Sequence, residues 1–144
     1  LVVSWGWNSD KPSDSSFLDW HEWQGTRDMS AFLTIPKAIE FLNKHNWKKI
    51  TTHCKDKVKL IRRHFIEILD FPIPCPDSWL GQMASIPLPI SDADLFKNQL
   101  LKKYNIQVPI FVWNGKVYLR YSIQVYNTDA DLNKLIHAVK DLLN

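Results

Sequence analysis

Asn114-Gly115-Lys116-Val117-Tyr118-Leu119-Arg120-Tyr121-Ser122-Ile123-Gln124 is the stretch on which the fold turns. Asn-Gly between two runs of strand-forming residues is the strongest short hairpin signal, because both turn positions need positive φ. The pair predicts strands over 108–113 and 116–124. Side chains alternate along a strand, so Tyr118, Arg120, Ser122 and Gln124 share one face. Val117, Leu119, Tyr121, Ile123 and Val125 share the other, which is apolar enough to be covered by helices.

Helices to cover it are legible on both sides of the hairpin. Residues 30–45 begin with Ser30, a good N-cap, and place Phe32, Ile35, Ile39, Phe41 and Leu42 near helical spacing. Pro36 either kinks that helix or sets its first turn. Asn46 can cap a longer helix whose apolar positions, Trp47, Ile50, Cys54, Val58, Ile61, Phe65 and Ile68, advance by threes and fours. Lys48, Lys49, Lys55, Lys59, Arg62 and Arg63 fall on its opposite face. Three prolines make 71–78 irregular, and 81–89 reads as a strand closed by proline. A helix over 92–104 directs Leu95, Leu100 and Leu101 inward. Thr128 with Asp131 three residues on forms a variant capping box for a last helix, with Leu132, Leu135, Ile136, Val139, Leu142 and Leu143 on its buried side. The architecture expected is α/β of the α+β kind, with helices packed on one face of a small, mostly antiparallel sheet.

Composition narrows the functional classes. A chain of 144 residues with 45% hydrophobic content can build one domain with a real core. A net charge of +3 is too mild to argue for nucleic acid, and the basic helix face lacks the interleaved aromatics of a strand-binding groove. No apolar run reaches the roughly 20 residues of a membrane span. Two cysteines, Cys54 and Cys75, form no disulfide framework and are consistent with a reducing, cytoplasmic setting. Seven tryptophans are many for this length, and Trp5, Trp7, Trp20 and Trp23 crowd an opening segment expected to hold little regular structure. Aromatics there call for a surface to lie on, from the rest of the fold or a second subunit. The start, Leu1-Val2-Val3 without a methionine, reads as a strand cut partway.

Few side chains point to chemistry on their own. Arg120 is either part of the solvated side of the sheet or a bidentate clamp for a carboxylate, which its planar fork suits. Gly25-Thr26, after Gln24, offers a free backbone N–H and a hydroxyl, a combination suited to phosphate oxygens, though the pair is common. His21-Glu22 lacks the second histidine of a zinc-protease helix, so no metal site is expected. His53 and Cys54 are adjacent on a helix and diverge, which speaks against a nucleophile pair. His45, His64 and His137 read as helix-surface or helix-end residues. The four glycines are scattered, so there is no glycine-rich phosphate loop.

The run from Arg120 through Ser122, Gln124, Tyr126 and Asn127 to Thr128, together with His21-Glu22-Trp23-Gln24-Gly25-Thr26-Arg27-Asp28 upstream, resembles the class V aminotransferases. The likeness is to their isopenicillin N epimerase-like branch, and it extends over nearly all of the chain, most clearly at 21–31, 82–89 and 113–128. It implies the carboxyl-terminal small domain of a fold-type I enzyme dependent on pyridoxal 5'-phosphate. Residues 1–29 would be a linker and intersubunit loop from the large domain, and 30–144 the small domain. The partners implied are an upstream large domain, a second copy in a homodimer with intersubunit active sites, and an amino-acid substrate. Arg120, with Gln124, would bind the substrate α-carboxylate. Thr26 and Gly25 would bind the cofactor phosphate of the neighbouring subunit, with Arg27 and Asp28 bracing the loop. No catalytic residue is expected in this chain, because none of its lysines has the family's Schiff-base setting and that lysine is expected upstream. Residues 121–126 contain no cysteine, which argues against desulfurase chemistry; epimerisation, transamination and carbon–sulfur lysis stay open. The opposing expectation is a free-standing, non-catalytic binding module derived from this fold.

Overall fold

The computed structural model describes residues 10, 12–22 and 26–143. The chain divides into two compact units, Leu1–His45 and Asn46–Asn144.

Three helices make up the described part of the first unit: α1 (Ser16–Glu22), α2 (Ser30–Leu33) and α3 (Ile35–Lys44). The helix α1 was not expected in the tryptophan-rich opening. Its start is tied down locally, since Asp19 accepts the Ser13 N–H at 3.1 Å and Ser15 Oγ accepts that of Leu18 at 3.4 Å. The single helix expected over 30–45 is instead broken at Thr34, because Pro36 sits in the first turn of α3, where its missing N–H costs nothing. Ser30 is not the cap. Asp28 accepts both the Ser30 N–H and its hydroxyl, at 2.9 and 2.8 Å. Neither α2 nor α3 contains a buried residue, so Phe32, Ile35, Ile39 and Phe41 are exposed. The expected strand at residues 1–7 lies outside the described residues.

The second unit holds the core. The long helix α4 (Trp47–Leu69) is followed by a 3-10 turn at Asp77–Trp79. Then come β1 (Met83–Leu88), α5 (Ala93–Tyr104), β2 (Ile110–Trp113), β3 (Lys116–Ser122) and α6 (Asp129–Leu143). The sheet is antiparallel with order β1-β3-β2, so the hairpin strand β3 is central. Asn114 and Gly115 both take positive φ, +49° and +74°, as the two-residue turn requires. Pro87 is tolerated because β1 is an edge strand, where a missing donor breaks no central ladder.

The helices of this unit pack on one face of its sheet. Helix α4 packs on β1, α5 on β2, and α6 touches both helices. Val58 and Phe65 of α4 meet Ile86 of β1, Leu119 of β3, the adjoining Ile123, Leu100 of α5 and Val139 of α6 in a core that is almost fully buried. Each large side chain so buried contributes about 1.5–3 kcal/mol. In α5 the inward residues are Phe96 and Leu100, whereas Leu95 and Leu101, expected inside, are exposed. Phe96 and Leu100 lie one turn apart, and that pair sets the face. Thr128 and Asp131 cap α6 reciprocally as expected: the Asp131 N–H donates to Thr128 Oγ1 at 3.2 Å and the Thr128 N–H to Asp131 at 2.8 Å. Hydrogen bonds from the backbone and then the hydroxyl of Thr128 hold the Asp131 carboxyl below its ordinary range.

Candidate functional site: Arg120 on the open face of the sheet

The face of the sheet opposite α4, α5 and α6 is built around β3. Tyr118, Arg120 and Ser122 alternate with the buried Val117, Leu119 and Tyr121. Cross-strand register sets Met83, Ser85 and Pro87 of β1 opposite Ser122, Arg120 and Tyr118. On the other side Phe111 pairs with Tyr118, and their rings stack at 5.8 Å, with Trp113 edge-on to Tyr118 at 6.1 Å. Arg120 is thus an exposed cation beside a largely uncharged, partly aromatic surface.

Its backbone is fixed on both sides. The Arg120 N–H donates to the Pro109 carbonyl at 2.9 Å, extending the β2 pairing by one residue. The next residue, Tyr121, is buried and its hydroxyl donates to the Val58 carbonyl of α4 at 2.8 Å. Burial pushes the Tyr121 phenol far up, so it keeps its proton and remains a donor. The guanidinium itself is uncommitted. Arg62 and Arg63 pair with Asp77, and Arg27 lies over the Phe32 ring at 5.0 Å, but Arg120 makes no side-chain hydrogen bond or ion pair among the described residues. A planar fork held on a rigid strand without a carboxylate of its own can receive one in bidentate fashion.

Gln124, expected beside Arg120, is placed differently. β3 ends at Ser122, and the Gln124 N–H donates to Asn127 Oδ1 at 2.8 Å in a tight turn. The alternation that would have put the two side chains on one face no longer applies there, and Gln124 lines a cleft against α4 instead. Val125, expected inside with the apolar face, is exposed for the same reason. Thr26 is an exposed residue of the first unit, and Gly25 lies outside the described residues. After Thr26, Asp28 accepts the Ser30 hydrogen bonds and Arg27 lies over the Phe32 ring. Among the described residues no three or more His, Cys, Asp or Glu side chains form a group that would hold a metal. No helix among them is long and apolar enough to cross a membrane.

Arg62 was expected on the solvated face of α4 but is buried, with 3% of its surface exposed. It donates to the Cys75 carbonyl at 2.8 Å and pairs with Asp77, pinning the proline-rich segment to the helix. Desolvation acts to raise the Asp77 carboxyl, but hydrogen bonds and charge from Arg62, and then Arg63, outweigh it and hold that carboxyl below its ordinary range. A sequence signal existed: Arg62 stands four residues after Val58 and next to Ile61, inside the apolar stripe.

The curated relatives of this chain are class V aminotransferase-like enzymes dependent on pyridoxal phosphate. Among them, the chain is 28% identical over 138 residues to a probable chloroplastic L-cysteine desulfhydrase of Arabidopsis thaliana, covering 84% of this chain and 29% of that protein. It is 29% identical over 167 aligned positions to putative L-cysteine desulfhydrase 1 of Oryza sativa subsp. japonica, covering 99% of this chain and 33% of that protein. It is 27% identical over 152 positions to isopenicillin N epimerase of Amycolatopsis lactamdurans, covering 97% of this chain and 38% of that protein. The chain therefore spans about a third of the length of the curated relatives it matches. No family model matches it.

Proposed function

We propose that this chain is the carboxyl-terminal portion of a cytoplasmic, pyridoxal-phosphate-dependent enzyme that transforms an amino acid, and that Arg120 holds the substrate α-carboxylate. The single observation carrying this reading is the uncommitted, exposed guanidinium of Arg120 on a strand anchored at Pro109 and Val58. The names of the relatives support an amino-acid substrate, because L-cysteine desulfhydrase and isopenicillin N epimerase both denote enzymes of amino-acid-derived compounds.

Pyridoxal phosphate, when bound, supplies an electron sink for the α-carbon of an amino acid. The donor set here fits a supporting part in that chemistry. Arg120 offers two parallel N–H donors to a carboxylate, which fixes the orientation of the α-carbon rather than moving a proton. Thr26, with Gly25, would donate to the cofactor phosphate of the neighbouring subunit in a homodimer, and the upstream large domain would complete the site. Gln124 is assigned no substrate contact in this reading, since it sits beyond the end of β3. Epimerase, aminotransferase and lyase activity share these needs.

The test begins with the mass and visible absorption of the native protein. A polypeptide longer than this chain that carries bound cofactor, and loses amino-acid binding on Arg120→Ala, supports the reading. A native protein without cofactor and with no partner subunit overturns it in favour of a free-standing binding module.

A further inference from the structure

Lys49, His53 and Lys57 stand four residues apart on α4, so they form one stripe of the helix. Across a cleft of about 240 Å3 they face Gln124, Val125 and Asn127 of the β3–α6 connection, with Ile50 and the buried Cys54 between the two walls. The connection is braced from within: the Gln124 N–H donates to Asn127 Oδ1 at 2.8 Å, and the Asn127 N–H returns to the Gln124 carbonyl at 3.0 Å. That wall is therefore formed before any ligand arrives.

The electrostatics favour an anion. Lys57 is committed to Asp129 at 2.6 Å, and His53 also acts on that carboxylate, which is not among the residues lining the cleft. Lys49 and His53 make no side-chain hydrogen bond or ion pair among the described residues. The surface of the cleft is mostly apolar, from residues such as Ile50, Cys54 and Val125, with Lys49 and His53 among the residues that border it. Size sets the rest. A dry cavity of about 150 Å3 accepts benzene, and pockets for drug-sized molecules begin near 300 Å3, so this cleft suits a body of about eight to ten non-hydrogen atoms.

We propose that this cleft is a binding site for a small aliphatic carboxylate of amino-acid size, its anionic end at Lys49 and His53 and its apolar body against Ile50 and Val125. The site is distinct from the role given to Arg120, which is not among its lining residues.

Isothermal titration calorimetry on the full-length protein tests this, with 4-methylpentanoate, the uncharged 4-methylpentanamide and inorganic phosphate as probes. The acid should bind, and the amide about tenfold or more weakly, the loss expected for hydrogen bonds to a charged group. Phosphate, which cannot use the apolar surface, should bind more weakly than the acid. Lys49→Gln and His53→Gln should each weaken the acid several-fold, whereas Lys97→Gln, on the exposed side of α5 and away from the cleft, should leave its affinity unchanged. Equal binding of acid and amide, absence of binding, or phosphate binding as tight as the acid would overturn the proposal. So would affinity lost in Arg120→Ala but kept in Lys49→Gln, which would place the carboxylate at Arg120 and support the enzyme reading instead. Absence of cofactor from the native protein would overturn the enzyme reading and leave this one standing.

Discussion

The hydroxyl of Tyr121 donates to the main-chain carbonyl of Val58 at 2.8 Å, tying the central strand to the middle of the longest helix. One residue away along that strand, Arg120 points to the opposite face. The outward side of Arg120 follows from strand alternation, and the residue beside it is anchored on the buried side of the sheet.

Tyr121→Phe should cost about 1 kcal/mol of stability, the typical net worth of one intramolecular hydrogen bond, and Tyr121→Ala about 3–5 kcal/mol through the cavity it leaves. Denaturant unfolding of each variant measures both. A loss no larger for alanine than for phenylalanine would show that the ring does not pack as described.

Replacing Arg120 should separate folding from binding. The side chain is exposed and makes no hydrogen bond or ion pair among the described residues, so Arg120→Ala should change stability by less than about 0.5 kcal/mol. If Arg120 holds a substrate carboxylate as proposed, the same change should weaken binding of an amino-acid ligand about a hundredfold, as expected for two charge-assisted hydrogen bonds. Arg120→Lys should recover only part of it, since an ammonium lacks the fork. Ligand titration alongside thermal unfolding reads both effects.

Acid should loosen the attachment of the proline-rich segment. The folded Asp77 carboxyl lies below its ordinary value of 3.8, so the unfolded chain takes up a proton first as pH falls. The stabilisation from its pairing with Arg62 and Arg63 is then fully present above about pH 4–5 and is lost as pH drops through the folded value. Thermal unfolding from pH 7 to pH 2 should show a decline in this window that is shallower in Asp77→Asn, a variant already destabilised at neutral pH because Arg62 stays buried without its partner.

Thr128→Ala removes the hydroxyl that accepts the Asp131 N–H at the start of α6. About 1 kcal/mol of stability should go with it, and Thr128→Ser should restore most of that. Unchanged unfolding in the alanine variant would mean that water replaces the cap at no cost.

Local chemistry made several of these features readable in advance. Asn114-Gly115 specifies its turn because few other pairs accept two positive φ values in succession. The stripe Cys54, Val58, Ile61 and Phe65 specifies the buried side of α4 because its period matches the helix. Arg120 was legible as a candidate because a lone charge in an alternating strand has to lie on the face its neighbours leave open. Ser30, by contrast, competes with Asp28 for the capping role, and which carboxylate or hydroxyl reaches the N–H is settled by the path of the loop.

Periodicity, turn residues and caps are properties of short stretches of backbone, and the sequence by itself determined the antiparallel hairpin, the helical faces and the outward position of Arg120. Tertiary structure alone decided what Arg62 pairs with, because its partners at Cys75 and Asp77 come from a loop more than ten residues on. It also decided that Gln124 leaves the face of Arg120 and lines a cleft with Lys49 and His53. A strand pattern carries no mark of where pairing stops. Here β1 begins at Met83, its last partner on β3 is Ser122, and beyond that residue the Asn127 side chain captures the Gln124 N–H.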